Sequence, residues 1–191
     1  MSAAGLILAA GESRRMGFPK ALLRYREETF LDTLIGLFSS RCSPVIVVLG
    51  AAADRIRAAA IRPALFVTNP DYVRGMTTSL QCGLRAVPSE SDGVLFTLVD
   101  HPAVSPATLD ALLASPRPLV RVPRYGASRG HPIWFSTSLI PEFLAIPDGG
   151  AARDVVRRHA AATEFLDLND PGVVADIDDP QAYRNLVEAW A

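Results

Sequence analysis

The sequence predicts an α/β protein, a parallel sheet covered by helices on both faces, and three observations point there. Short continuous apolar runs recur along the chain, as strands buried on both faces require. Between them lie segments whose apolar residues are spaced for helices. The 191 residues are 49% hydrophobic and 20% charged, too apolar for disorder and ordinary for a folded globule. A chain of this length buries roughly 70% of its unfolded surface and is expected to form one domain, residues 1–191.

The elements follow in order. Leu6 to Ala9 opens as a strand, and Phe30 to Phe38 carries a helical face of Leu31, Leu34, Ile35 and Phe38. Val45 to Leu49 reads as a buried strand, Ala53 to Ala60 as its crossover helix, and Leu65 to Val67 as a shorter strand. Met76 to Val87 is a helix, and Val94 to Val99 is the clearest strand, stopped by Asp100-His101-Pro102. Pro106 to Leu113 starts with proline, as helices tolerate. Leu119 to Val122 and Ile133 to Phe135 read as strands around a polar loop, Arg124 to Gly130. Ala151 to His159 is helical and Glu164 to Leu168 a strand. Pro180 to Trp190 closes the chain, with Asp179 as N-cap and Tyr183, Val187 and Trp190 as the apolar face.

Charge and cysteine usage narrow the function classes. Nineteen Lys and Arg against twenty Asp and Glu leave a net charge of −1. Neither duplex DNA nor an anionic membrane surface attracts such a chain, so neither nucleic acid nor membrane is expected as a partner. The longest apolar run, Pro44 to Ala53, is far short of the roughly 20 residues of a membrane span. The first residues have no Lys or Arg before a short apolar stretch, unlike a signal peptide. Cys42 and Cys82 match no zinc spacing and are expected as reduced thiols of a cytoplasmic protein.

Two segments carry chemistry. In Leu8 to Lys20 (LAAGESRRMGFPK) a strand enters a loop of small and polar residues, with Gly11 and Gly17 bracketing Arg14 and Arg15 and with Lys20 beyond. Small residues let backbone N–H groups approach an anion, and the cations neutralise it. The segment is neither a Walker A loop nor a Gly-x-Gly-x-x-Gly fingerprint, and an ordinary strand-to-helix connection is the alternative. Asp100 ends a central strand, where open α/β sheets place their ligands. A carboxylate there calls for a metal ion, a cation or a helix N-terminus beside it, unless it only caps the following helix.

The run LAAG-x-S-x-RMG-x-x-K, Leu8 to Lys20, closely resembles the nucleotide-binding motif of MobA-like nucleotidyltransferases, and within them the molybdenum cofactor cytidylyltransferases of the MocA-like branch. The resemblance recurs in order at Asn69-Pro70 with Gly75-Met76 and Ser79-Leu80, at Val99 to Pro102, at Gly130 to Pro132, at Gly149 to Arg153, and at Asp176 to Pro180 (DIDDP). It implies a three-layer αβα, Rossmann-like, mostly parallel sheet of the nucleotide-diphospho-sugar transferase type. It also implies a reaction in which an acceptor phosphate attacks the α-phosphorus of a nucleoside triphosphate and expels pyrophosphate. A phosphate monoester is already mostly dianionic near neutral pH, so no activated protein nucleophile is required.

Mapped residue by residue, the resemblance assigns the nucleotide to the backbone of Leu8, Ala9, Ala10 and Gly11, with Gly75 and Ser79 at base and ribose. Arg15 and Lys20 take the β- and γ-phosphates, and Asp100 is the first magnesium ligand. Asp178 is expected as the second, although Asp176 and Asp179 are not separable from it by sequence. His131 falls in the acceptor-side loop, with Arg124 and Arg129 flanking it as candidates for an anionic acceptor. His101 is expected to pack at the edge of the site and His159 to lie on a solvated face. Ala rather than Gly at position 10 leans toward CTP over GTP, with molybdopterin bearing its metal as acceptor and a molybdoenzyme as a further partner. Three alternatives stay open: a guanylyltransferase of the same cofactor, another phosphorylated small-molecule acceptor, and a nucleotide- or cofactor-binding accessory protein without turnover.

Overall fold

The computed structural model describes residues 2–189. Strand β1 (Ala3–Ala9) is buried throughout. A loop and a single 3-10 turn at Lys20–Leu22 lead to the small hairpin β2 (Arg24–Tyr25) and β3 (Glu28–Thr29), which sequence periodicity did not resolve. Then follow α1 (Phe30–Ser39), β4 (Val45–Leu49), α2 (Ala53–Ala59), β5 (Leu65–Thr68), α3 (Met76–Leu84) and β6 (Gly93–Leu98). The second half holds α4 (Pro106–Leu113), β7 (Val120–Tyr125), β8 (Ser128–Arg129), β9 (Ile133–Ser136), α5 (Ile140–Leu144), α6 (Ala152–Arg158), β10 (Thr163–Asp167) and α7 (Pro180–Glu188).

The main sheet runs β10-β7-β9-β6-β1-β4-β5. Strands β6, β1, β4 and β5 are mutually parallel, and β10 is parallel to β7. Strand β9 is inserted antiparallel between β6 and β7. Alternate residues of the central strands feed two cores. Ile7, Ala9, Val47 and Leu49 pack with Phe30, Leu34 and Phe38 of α1, Leu109 and Leu112 of α4 and Leu186 of α7. On the other face Leu6, Leu8, Ile46 and Val48 meet Leu80 and Leu84 of α3, Phe143 of α5 and Val155 of α6. The expected three-layer αβα arrangement, mixed but mostly parallel, is therefore the one observed.

Three local expectations are corrected. The polar segment Arg124 to Gly130 is largely a hairpin: Tyr125 pairs with Ser128 around Gly126, whose φ of 58° suits the first position of a two-residue turn. In α7 the inward residue is Leu186, 7% exposed, with Tyr183 beside it, whereas Val187 is 45% exposed. Trp190 lies outside the described residues. His159 is not a solvated side chain; it ends α6, half-buried, with Nε2 2.7 Å from Glu142 Oε1. Both cysteines are free, and burial pushes the Cys42 thiol up to about 12. Among the described residues no helix is long and apolar enough to cross a membrane.

Candidate active site

The carboxyl ends of β1 and β6 lie side by side at the middle of the sheet, and the chain leaves each into a functional loop. The amide of Val99 donates to Leu8 O at 3.0 Å, which locks the two ends together. Beyond β1 the loop turns tightly at Ser13–Gly17, where the amides of Met16 and Gly17 both donate to Ser13 O. Ser13 Oγ accepts from the Lys20 amide at 3.0 Å, which fixes the start of the 3-10 turn and aims the Lys20 side chain back at the sheet.

Lys20 Nζ donates to Asp100 Oδ2 at 2.9 Å and also to Asp178 Oδ1. Arg15 donates to the other oxygen of Asp178, whereas Arg14 pairs locally with Glu12. The structure thus brings Arg15, Lys20, Asp100 and Asp178 into one cluster, as the sequence mapping expected. Burial works against the Lys20 ammonium, but the hydrogen bond to Asp178 and the charge of Asp100 outweigh it, and its pKa rises. The same Lys20 hydrogen bond holds the Asp178 carboxyl below its ordinary value, against a smaller opposing effect of burial.

The DIDDP segment sorts itself by alternation. Ile177 is buried, and its amide donates to Asp100 O at 3.0 Å, which leaves Asp176 and Asp178 on the opposite side. Asp179 is spent on α7, its carboxylate accepting from the amides of Gln181 and Ala182 at 2.8 and 2.9 Å. Of the three acids that sequence left together, Asp176 and Asp178 thus join Asp100, and one oxygen from each lies within 4.8 Å of the others. Burial of its carboxyl end, then the charges of Asp100 and Asp178, raise Asp176 to about 6, although the residue as a whole is solvent-exposed. Asp100 Oδ1 is buried without a hydrogen-bond partner among the described residues. Convergent hard oxygens and an orphaned buried carboxylate oxygen fit a divalent cation such as magnesium or manganese.

Arg15, Lys20, Asp100 and Asp178 line a cavity of about 400 Å3 that also receives Leu8, Ala9, Ala10, Gly11, Gly75, Met76 and Ser79. Gly75 has φ 111°, a conformation closed to side chains with a Cβ, and caps the N-terminus of α3. Asn69, 3% exposed, donates from Nδ2 to Ser79 Oγ at 3.0 Å and so orients it. Gly50 was not singled out by sequence. A Cβ there would lie 2.6 Å from both Ala10 O and Tyr72 Cβ, so this glycine lets the end of β4 press directly against the loop. Its signal was a glycine closing an apolar strand.

A second cavity, about 650 Å3, opens on the α3 side of the sheet. Phe96, Phe135, Phe143, Phe165 and His131 line it, with Arg129, Arg153 and Arg157 around them. His131 packs against Phe96 and His101 at centroid distances of 5.4 and 5.0 Å, and His101 is 5% exposed, so His101 packs at the site as expected. Burial, reinforced by neighbouring His101, lowers His131 to about 4, so the ring is neutral at physiological pH. Arg124 is committed to a two-pronged pair with Asp167 at 2.8 Å and does not line this cavity, while Arg129 does, stacked 4.7 Å from the Phe165 ring. Met76 lines both cavities.

An α/β sheet with a glycine/alanine loop beside a lysine–carboxylate cluster at its strand ends defines the class. Residues 5–163 match the MobA-like NTP transferase domain, and the chain belongs to that family of NTP-transferase-type enzymes. It is 34% identical over 195 residues to nicotine blue oxidoreductase of Paenarthrobacter nicotinovorans, covering 95% of each chain. It is 32% identical over 199 residues to purine catabolism protein PucB of Bacillus subtilis strain 168, covering 98% of this chain and 97% of that one. With molybdenum cofactor cytidylyltransferase of Escherichia coli K12 it shares 26% identity over 187 residues, 97% of this chain and 95% of the other. Among solved structures, Rv0371c of Mycobacterium tuberculosis H37Rv superposes with a TM-score of 0.84 at 32% identity over 98% of both chains. The same protein has also been crystallised with manganese, at a TM-score of 0.80 and 29% identity, covering 99% of this chain and 100% of that one.

Proposed function

We propose that this protein transfers CMP from CTP to the phosphate of molybdopterin or its metal-bearing form, releasing pyrophosphate. The observation that carries the reading is the pair of cavities meeting at Met76. One has the small-residue loop, the cations Arg15 and Lys20 and the carboxylates Asp100 and Asp178 that a metal–triphosphate needs; the other has the aromatic walls and arginines that suit a flat, anionic acceptor. The backbone of Leu8 to Gly11 holds the nucleotide, with Gly75 and Ser79 at its base and ribose. Lys20 and Arg15 bind the β- and γ-phosphates and neutralise the departing pyrophosphate. The acceptor oxygen forms a bond to the α-phosphorus as the bond to the pyrophosphate oxygen breaks, and no protein residue is consumed.

Asp100, Asp178 and Asp176 would hold a magnesium ion, which when bound supplies charge neutralisation at the phosphates. His131, neutral and packed on Phe96, forms a wall of the acceptor cavity rather than a proton donor. The resemblance of the loop, with Ala at position 10, and the Escherichia coli relative support CTP over GTP. The protein is placed in the cytoplasm on this reading, where a molybdoenzyme would receive its product.

The 34% identity to nicotine blue oxidoreductase favours one second reading, a reductase using the loop cavity for a nicotinamide nucleotide. Calorimetric titration with CTP, GTP and NADPH, each in excess magnesium, separates the two. CTP tighter than GTP by tenfold, about 1.4 kcal/mol, supports the cytidylyl reading. GTP winning by that margin overturns the base assignment, and NADPH alone binding overturns the transferase.

A further inference from the structure

Helix α3 stands between the two cavities, and its side chains serve both. Met76 and Ser79 face the nucleotide cavity. Gln81, two residues on and so about 200° further round the helix, faces the segment 145–150 that joins α5 to α6. Its Nε2 donates to Phe143 O, Leu144 O and Ile146 O at 3.1, 3.3 and 3.0 Å. Phe143 O and Leu144 O belong to the last turn of α5 and Ile146 O to the segment after it, and Phe143 O also accepts from the Ile146 amide at 3.3 Å. Two further ties run the same way: Thr77 Oγ1 donates to Gly150 O at 2.8 Å, and Arg74 pairs with Asp148. The tethered segment leads directly into α6, whose Arg153 and Arg157 line the larger cavity.

We propose that Gln81 is a positioning residue that transmits nucleotide binding to the acceptor cavity, by fixing segment 145–150 and the arginines of α6 to the helix that contacts the nucleotide. The inference rests on the proposed assignment of the two cavities. Ordering of Gly75 to Ser79 by a nucleotide steadies α3. Gln81 passes that restraint to the end of α5 and on to α6, although nothing in residues 145–158 lines the nucleotide cavity. A side chain that donates is essential, because all three partners are acceptors.

The test is hydrogen exchange with and without CTP in excess magnesium, on the wild type, Gln81→Glu and Gln81→Lys. Glutamate keeps the shape but turns acceptors against three carbonyls; lysine keeps N–H donors there, three in place of glutamine's two. CTP is expected to slow exchange across residues 145–158 at least threefold in the wild type and in Gln81→Lys. In Gln81→Glu the slowing is lost while the Kd for CTP stays within threefold, a split that a general loss of structure does not produce. Equal slowing in Gln81→Glu, no slowing in the wild type, or a parallel loss of CTP affinity overturns the inference while leaving the proposed function standing. Failure of the wild type to bind CTP, GTP or NADPH overturns the cavity assignment itself, and the inference with it.

Discussion

Replacing Lys20 by methionine removes the ammonium that spans Asp100 and Asp178 and keeps most of the apolar stem. Two effects of opposite direction follow. The Lys20 side chain is 12% exposed and Nζ lies 2.9 Å from Asp100 Oδ2. At an effective dielectric constant of about 20, unit charges at that separation attract by about 6 kcal/mol before desolvation. The net value of one charge-assisted hydrogen bond is about 1.5–3 kcal/mol. A divalent cation that enters the free protein competes with that bond for the same oxygens. Lys20→Met should therefore bind Mn2+ in the absence of nucleotide roughly 10- to 100-fold more tightly than the wild type. Turnover moves the other way, falling by about 10²–10³ as a preorganised donor to the phosphates is lost. Electron paramagnetic resonance of free Mn2+ gives the first quantity and pyrophosphate release the second, with circular dichroism confirming the fold. Unchanged or weaker Mn2+ binding would refute the competition, and turnover within threefold of wild type would refute the role of Lys20 in transfer.

Three further outcomes are expected. Gly50→Ala pushes a methyl group against Ala10 O and the Tyr72 side chain, so CTP affinity measured by calorimetry should drop at least tenfold, with about 1–3 kcal/mol of stability lost to overpacking; unaltered affinity would separate Gly50 from the loop. Asp179→Ala should cost about 1 kcal/mol of stability through the lost cap of α7 and leave Mn2+ binding alone, whereas Asp178→Asn should weaken it; the reverse pattern would contradict the sorting of the DIDDP acids. The buried His131 ring titrates at about 4 against an ordinary 6.5, so between those values the unfolded chain binds the extra proton. The stability this contributes is complete above pH 6.5 and is lost as the pH falls through 4, with a slope of at most about 1.4 kcal/mol per pH unit. Urea titrations across that range should show His131→Gln flatter than wild type, and parallel curves would argue against a buried neutral ring.

The central half of the fold was legible because buried parallel strands announce themselves as apolar runs, and Leu8 to Lys20 and Asp100 are contiguous with strand ends that place them. Asp179 was readable as a cap from the proline after it. What sequence left open depended on contacts between distant segments. Asp176 and Asp178 are brought to Asp100 by the hydrogen bond that Ile177 makes to Asp100 O, a contact between segments more than seventy positions apart. The hairpin at Gly126 was hidden by polar residues with no alternation to read, since β8 is two residues long and exposed. Gln81 sits on a helix whose apolar spacing was clear, but its three acceptors lie more than sixty positions away. The larger cavity is assembled from α3, β6, β7, β9, α5, α6 and β10, so no single stretch of sequence described it.

The most direct test of the account follows the α-phosphorus. CTP labelled at that position, with magnesium and molybdopterin, is incubated with the wild type and with Lys20→Met, and the products are separated. The account predicts label in a molybdopterin dinucleotide, unlabelled pyrophosphate in equal amount, and at least a hundredfold slower formation of both by the variant. Label remaining in CTP, with no pyrophosphate released by the wild type, would contradict it.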